Sequence, residues 1–219
     1  MKLNPEFADN PDPRAACVLL LDTSASMSSS NAIGALNDGL IELKNELMRD
    51  SLAKRRVEIA IVTFGGQVTH SDFVVAEDFT PDTLFASGST PMGEAVNRGL
   101  DLLQARKNIY SANGISYYRP WLFLITDGGP TDDWQAASRR LVEEAQNDKV
   151  LPFCVGVEGA DFDILRQFTI DAIPPAKLKG LSFGEMFRWV SASQKALSHS
   201  NPGDQVRLNP ITGWGEVTS

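Results

Sequence analysis

The sequence has few of the residues that build sulfur or imidazole sites: two cysteines and two histidines in 219 residues. Cys17 and Cys154 each lie inside an apolar run, a position typical of buried, reduced thiols. His70 and His199 are far apart and have no second nitrogen or sulfur ligand at zinc spacing. The sequence therefore predicts neither a disulfide scaffold nor a zinc site.

Excess positive charge and long apolar segments are also absent. Twenty Lys and Arg against 28 Asp and Glu leave a net charge of −8, which repels nucleic-acid phosphates and anionic lipids. The apolar runs have the length of strands and fall far short of the roughly 20 residues of a membrane span. Pro, Glu and Asp occupy the first residues, where a signal peptide would be apolar. We therefore expect a cytoplasmic protein with no nucleic-acid or membrane partner.

Strand-like apolar runs alternate with segments of helical period, a pattern that indicates an α/β sheet covered by helices on both faces. Gly65 and Gly66 predict a hairpin, and hence one antiparallel edge strand. Pro91 is predicted to be the first residue of a helix. The strands are predicted at residues 16–21, 57–64, 68–75, 121–126, 150–157 and 176–178, and the helices at 31–49, from 91, from 134, at 162–168 and at 182–197.

The two ends of the chain differ from the middle. Residues 1–14 and 199–219 are rich in Pro, Asn, Gly and Ser without periodicity, and they are predicted to be extended or poorly ordered arms of a domain at 15–198. Trp214, between two glycines, is expected to fold back onto the domain, with a role as a partner-binding anchor as the alternative. Residues 28–30 are interpreted as the solvent-exposed start of the first long helix.

Three groups of oxygen-bearing side chains follow a strand or precede a helix. The stretch Asp22-Thr23-Ser24-Ala25-Ser26 ends the first strand, Thr90 precedes a helix, and Asp127 ends the strand at 121–126. In a doubly wound sheet such loops meet at one edge. Oxygen ligands without His or Cys favour Mg²⁺, Mn²⁺ or Ca²⁺. With only two acids near it, such an ion would attract a carboxylate from another molecule, which predicts metal-bridged adhesion.

Ordinary structural roles compete with this interpretation. Ser and Asp are common turn and cap residues, and Thr90 could cap the helix that follows it. Asp132 and Gln135 resemble a capping box. Asp132 and Asp133 are therefore interpreted as acids at a helix start, with partner contact at the rim of the site as the alternative.

The same residues carry a family resemblance. Asp22, Ser24 and Ser26, with Thr90 and Asp127, resemble the metal-ion-dependent adhesion site of von Willebrand factor A domains. The resemblance implies a Rossmann-like, mainly parallel six-stranded sheet in the order 3-2-1-4-5-6 with strand 3 antiparallel. It also implies a divalent cation, Mg²⁺ or else Mn²⁺ or Ca²⁺, with the two serines and the threonine as direct ligands and the two aspartates acting through water. The implied partner is a protein that supplies an Asp or Glu.

The loops at 88–95 and 126–134 are similar to those of the bacterial TerY-type branch of this family, which is associated with tellurium resistance and stress response. That narrower resemblance implies a protein kinase and a Ser/Thr phosphatase as partners.

A magnesium-dependent phosphatase of the haloacid dehalogenase type is the alternative function. Its chemistry needs a second acid two residues after the nucleophilic aspartate to protonate the leaving group. That position is Ser24, whose hydroxyl cannot replace an acid near neutral pH. Walker-type and dinucleotide-binding glycine patterns are absent from the sequence as well. The sequence therefore favours a non-catalytic interaction module with no catalytic residues.

Overall fold

A twisted sheet forms the centre of the molecule in the computed structural model, which describes residues 5–28, 31–204 and 206–218. Its strands are β1 Ala15–Asp22, β2 Val57–Gly65, β3 Gln67–His70, β4 Val74–Val75, β5 Trp121–Thr126, β6 Leu151–Gly156, β7 Ala176–Leu178 and β8 Gly215–Val217. The helices are α1 Pro5–Asp9, α2 Ala32–Met48, α3 Ala53–Arg56, α4 Met92–Ala112, α5 Gln135–Gln146, α6 Phe162–Leu165 and α7 Phe183–Ser198. Single 3₁₀ turns follow β1 and α6, at Ala25–Ser28 and Arg166–Phe168.

The strands are ordered β3-β2-β1-β5-β6-β7-β8, and the five from β2 to β7 are parallel. β3 and β4 both pair antiparallel with the outer edge of β2. This arrangement confirms the predicted mainly parallel α/β sheet with an antiparallel strand beyond strand 2. The described residues form eight strands instead of six, because the predicted strand at 68–75 is split in two and β8 pairs antiparallel with β7.

The central strands are buried on both faces, which explains their unbroken apolar sequences. All eight residues of β1 and all six of β5 are buried. Helices α2 and α7 cover one face, and α4 and α5 cover the other. Cys17 and Cys154 belong to the cores on opposite faces and are free. Burial raises the pKa of both thiols, so both stay protonated and unreactive near neutral pH.

Both ends of the chain hold more structure than their composition predicts. Helix α1 buries Phe7, whose ring meets Tyr110 edge to face with centroids 6.1 Å apart. At the other end β8 extends the sheet, and Trp214 is 4% exposed and packs on Trp189. The prediction of extended or poorly ordered arms is therefore wrong for Pro5–Asp9 and Gly215–Val217, whereas the folding back of Trp214 is confirmed. Ser29 and Ser30, in the predicted start of the first long helix, lie outside the described residues.

No helix in the described ranges is both long enough and apolar enough to cross a membrane.

Candidate metal centre

The loop after β1 is folded by its own polar side chains. The Ser24 backbone N–H donates to Asp22 Oδ1 at 2.8 Å, which turns the chain just beyond the strand. The hydroxyls of Ser24 and Ser26 lie 3.0 Å apart and share a hydrogen bond. Asp22 and Ser24 are buried, whereas Ser26 is exposed. The loop therefore presents hydroxyl oxygens in a row that leads from the core to solvent.

Asp127 joins this row from the neighbouring strand. β1 and β5 are adjacent, with Leu21 opposite Ile125, so their carboxyl ends meet. The Ser26 hydroxyl donates to Asp127 Oδ1 at 2.6 Å. Four of the five residues singled out from the sequence therefore form one continuous hydrogen-bonded group.

Thr90, the fifth residue, is held between the other two loops. The Ala25 N–H donates to the Gly88 carbonyl at 3.0 Å, and the Thr90 N–H donates to Thr131 Oγ1 at 3.0 Å. Gly88 has a φ of +75°, and a Cβ there would lie 2.6 Å from the Cα of Gly66. Only glycine allows this approach. Thr90 itself is 6% exposed.

Two threonines that the sequence analysis did not single out support the group. The Thr126 hydroxyl donates to Asp22 Oδ2 at 2.5 Å. Thr131 forms two hydrogen bonds with Thr90. Its Oγ1 accepts the Thr90 N–H, and its own N–H donates to the Thr90 carbonyl at 2.9 Å. The pairing of Leu21 with Ile125 places Thr126 opposite Asp22, so a predicted strand register would have identified Thr126. Nothing local marks Thr131.

Asp132 does not form the predicted capping box. The residue preceding α5 is Trp134, which makes no side-chain cap. Asp132 instead accepts the N–H groups of Gly93 and Glu94 at 3.0 and 2.9 Å, in the first turn of α4. It is thus an acid at a helix start, as predicted, but of the helix that follows Thr90. Pro91 likewise precedes α4 by one residue instead of opening it.

The group lacks positive charge. Burial raises the pKa of Asp22, the hydrogen bonds from Ser24 and Thr126 lower it, and the charge of Asp127 raises it further, with a net upward shift. Within the described part of the chain, neither aspartate forms a salt bridge. Two carboxylates at least nine-tenths buried with no cation are costly.

A hard divalent cation fits this donor set. The side chains offer carboxylate and hydroxyl oxygens only, which suit Mg²⁺, Mn²⁺ or Ca²⁺. Among the described residues, three or more His, Cys, Asp or Glu side chains gather nowhere in a metal-binding group. Any ion held at these loops would therefore depend on the serine and threonine hydroxyls for much of its coordination.

Comparisons with known proteins agree with the fold. The family model of the von Willebrand factor type A domain matches residues 17–177, and no curated protein matches the chain. Among solved structures, the von Willebrand factor type A protein from Catenulispora acidiphila is 17% identical with a TM-score of 0.59. The match covers 84% of this chain and 43% of that one.

Two further solved structures hold a metal ion. Proximal thread matrix protein 1 from the mussel byssus, with a zinc-occupied MIDAS motif, is 15% identical with a TM-score of 0.55, covering 84% of this chain and 48% of that one. The manganese-loaded TRAP protein of Plasmodium vivax is 17% identical with a TM-score of 0.55, covering 80% and 71%. This chain spans less than half the length of the first structures it matches.

Proposed function

The chain belongs to the von Willebrand factor type A domain family, and on that premise we propose that it is a non-catalytic, metal-dependent interaction module that binds an acidic side chain of a partner protein. One observation carries the proposal. Two buried aspartates and a row of hydroxyls meet at the carboxyl ends of β1 and β5, linked by the Ser26–Asp127 hydrogen bond, with no cationic side chain among the described residues to balance them.

The proposed ligands are the five residues of this group. Ser24, Ser26 and Thr90 would hold the ion directly, and Asp22 and Asp127 would act through water or as exchangeable ligands. The bound ion would supply a positive charge that neutral hydroxyls leave largely unquenched. An acidic side chain from another molecule would then complete the coordination. Asp22 already holds the loop in shape by accepting the Ser24 N–H, and Thr126 fixes its other oxygen.

The relatives support the proposal of a divalent ion. The mussel protein has zinc in its MIDAS motif and the Plasmodium protein is loaded with manganese. The all-oxygen donor set of this chain favours Mg²⁺ as the resident ion.

The narrower elements of the proposal rest on loop sequences and composition. The loops at 88–95 and 126–134 support a place in the TerY-type branch, and hence a role in tellurium resistance or stress response with a kinase and a Ser/Thr phosphatase as partners. Two free, buried thiols accord with a reducing, cytoplasmic setting. We place the interaction domain at residues 15–198, with 1–14 and 199–219 as its attached ends.

Calorimetric titration with Mg²⁺ tests the site. We expect binding by the wild type, loss of binding in Asp22→Ala, and weaker binding in Ser24→Ala and Thr90→Ala. Asp72→Ala, which removes an exposed acid of the β3–β4 connection, is the matched control and should bind like the wild type. Unchanged affinity in all three site variants would overturn the ligand assignment.

Two assays address function. Pull-down from native extract, with Mg²⁺ or with chelator, should yield a partner that is lost both on chelation and in Asp22→Ala. Release of phosphate from an aryl phosphate in the presence of Mg²⁺, abolished by Asp22→Asn, would instead establish the haloacid dehalogenase-type phosphatase and refute a non-catalytic module.

A further inference from the structure

Phe85 is the most exposed of the large apolar side chains in the described part of the chain. It lies in the connection between β4 and α4 and is 78% exposed. Single exposed apolar residues are common on protein surfaces, so exposure alone does not indicate a function. The position of Phe85 does, because its backbone neighbours contact the loop of the proposed metal centre.

The backbone on both sides of Phe85 is held in place. Before it, Leu84 exchanges two hydrogen bonds with the Asn37 side chain of α2, at 2.8 and 3.0 Å. After it, the Ser87 N–H donates to the carbonyl of Thr23 at 2.7 Å, in the loop that follows β1. The ring therefore meets solvent from an anchored backbone, and a partner that packs on it would not have to order the loop first.

Phe85 lies within reach of a segment bound at the metal centre. The N–H of Ala25, between the proposed ligands Ser24 and Ser26, donates to the carbonyl of Gly88 at 3.0 Å. Phe85 precedes Gly88 by three residues, which span at most about 11 Å. An extended segment rises about 3.3 Å per residue. An apolar side chain a few residues from the acid at the ion would therefore reach the Phe85 ring.

The opposite side of the metal centre is acidic. Residues 84–91, around Phe85, contain no charged side chain. Across the centre, Asp133 lies two residues after Thr131 in the loop that follows β5, and Glu158 lies two residues after β6. These loops meet at one edge because β5 and β6 are parallel neighbours. Both acids are exposed, and neither forms a salt bridge with a described residue.

We propose that the metal centre recognises a segment with three side chains in a fixed order: an apolar one on Phe85, an acid at the ion, and Lys or Arg facing Asp133 and Glu158. This inference rests on the proposed function, because the acid needs the ion. Aromatic residues are enriched in the cores of protein interfaces, and complementary charge sets orientation. The segment would therefore lie with its apolar end on the β1 side and its basic end on the β6 side.

Selection from displayed heptapeptides with a central Asp or Glu and random flanks tests the proposal. Peptides are bound in Mg²⁺ and released with chelator, so only metal-dependent binders are recovered. The wild type should select apolar residues on one side of the acid and Lys or Arg on the other. Val217→Ser, at a 57% exposed apolar residue of β8, is the matched control and should select the same peptides.

Two further variants assign each preference to its side. Phe85→Ser should lose the apolar preference and bind the best wild-type peptide about tenfold more weakly, whereas Phe85→Leu should retain both. Asp133→Asn combined with Glu158→Gln should lose the basic preference, with affinity roughly threefold lower at low salt and little changed at high salt. Mg²⁺ titration should give the wild-type affinity in all of them.

The possible failures point to different conclusions. If the wild type selects acidic peptides without flanking preferences, or if Phe85→Ser selects the same apolar residues as the wild type, the three-part recognition is wrong and the metal-dependent module stands. If the wild type binds Mg²⁺ but selects no metal-dependent peptide, the binding of acidic side chains is itself overturned.

Discussion

The two ends of the sheet both bury carboxylates, but they treat them in opposite ways. At the amino end Glu58, in β2, is fully buried and accepts from Arg14 Nε at 2.8 Å and from Arg106 Nε at 2.7 Å. The Tyr110 hydroxyl also donates to it, and Glu6 pairs with Arg106. At the carboxyl end Asp22 and Asp127 share hydroxyls and N–H groups but have no cation in the described chain.

This difference distinguishes the structural carboxylate of Glu58 from the carboxylate of Asp22, which we propose as a metal ligand. The cluster of Glu58, Arg14, Arg106 and Tyr110 satisfies its polar groups with protein partners. Burial, together with the neighbouring charge of Glu58, raises the pKa of Tyr110. Burial lowers the pKa of Arg106, but the hydrogen bonds that its guanidinium donates to Glu58 and Glu6 raise it, with a net upward shift. Asp22 is buried with a net raised pKa and a like charge beside it. Only the second arrangement leaves a place for an added ion.

Removing the structural carboxylate should have the largest effect. Glu58→Gln leaves two buried guanidinium groups short of a counter-charge, and we expect a loss of about 3–5 kcal/mol in the free energy of unfolding. Urea denaturation measures it. Glu77→Gln, at an exposed acid on the loop after β4, is the control and should change stability by less than about 0.5 kcal/mol. If Glu58→Gln lowered the free energy of unfolding as little as Glu77→Gln does, the contrast between the two ends of the sheet would be wrong.

Saturation with Mg²⁺ should have the next largest effect on the free energy of unfolding, through an ion bound at the carboxyl end of the sheet. A free concentration one hundred times the Kd contributes about 2.7 kcal/mol, visible as a rise in Tm that chelation reverses. Because the two ends are independent, Glu58→Gln should retain the rise if it remains folded, and Asp22→Asn should lose it. A full rise in Asp22→Asn would place the ion elsewhere.

Without metal, Asp22→Asn should change stability by less than about 1 kcal/mol, far less than Glu58→Gln. The substitution removes an uncompensated buried charge while an amide oxygen still accepts the Ser24 N–H. Denaturation in chelator measures it. A loss as large as that of Glu58→Gln would show that Asp22 is a structural carboxylate after all.

Asp50 is a third acid, with hydrogen-bond partners but no Lys or Arg partner among the described residues. Its substitution should have the smallest effect on the free energy of unfolding. Burial raises its pKa, but the N–H groups of Ala53 and Leu52 and the side chain of His199 lower it, with a net downward shift from 3.8. Its stabilisation is therefore present above pH 3.8 and is lost as the pH falls through the lowered pKa. Asp50→Asn should cost under about 1 kcal/mol at pH 7 and nothing once Asp50 is protonated. A pH-independent loss in denaturation curves would refute this origin.

The sequence predicted best where one local signal determines the structure. The continuous apolar run of β5 and the short strand β7 appear with the predicted limits, and the helix predicted at residues 31–49 appears as α2, Ala32–Met48. Four of the five predicted site residues are joined by hydrogen bonds, because loops after parallel strands meet at one edge.

Prediction failed where the partner of a segment is distant in the chain. β8 has three residues and no apolar alternation, and it is a strand only because β7 offers an open edge. Arg14 and Glu58 are 44 residues apart, so nothing local announces their pairing. Asp132 serves a helix 38 or 39 residues before it, although its neighbours predict a cap for the next one.

The short strands at the two sides of the sheet also bear on how copies of this protein behave in concentrated solution. Parallel sheets with bare edges can recruit further strands and polymerise. Here β3, with four residues, and β8, with three, occupy the two margins and run against the direction of their neighbours. Each offers too little backbone for a second chain to add in register. By adding β8, the segment after α7 therefore limits edge-to-edge aggregation.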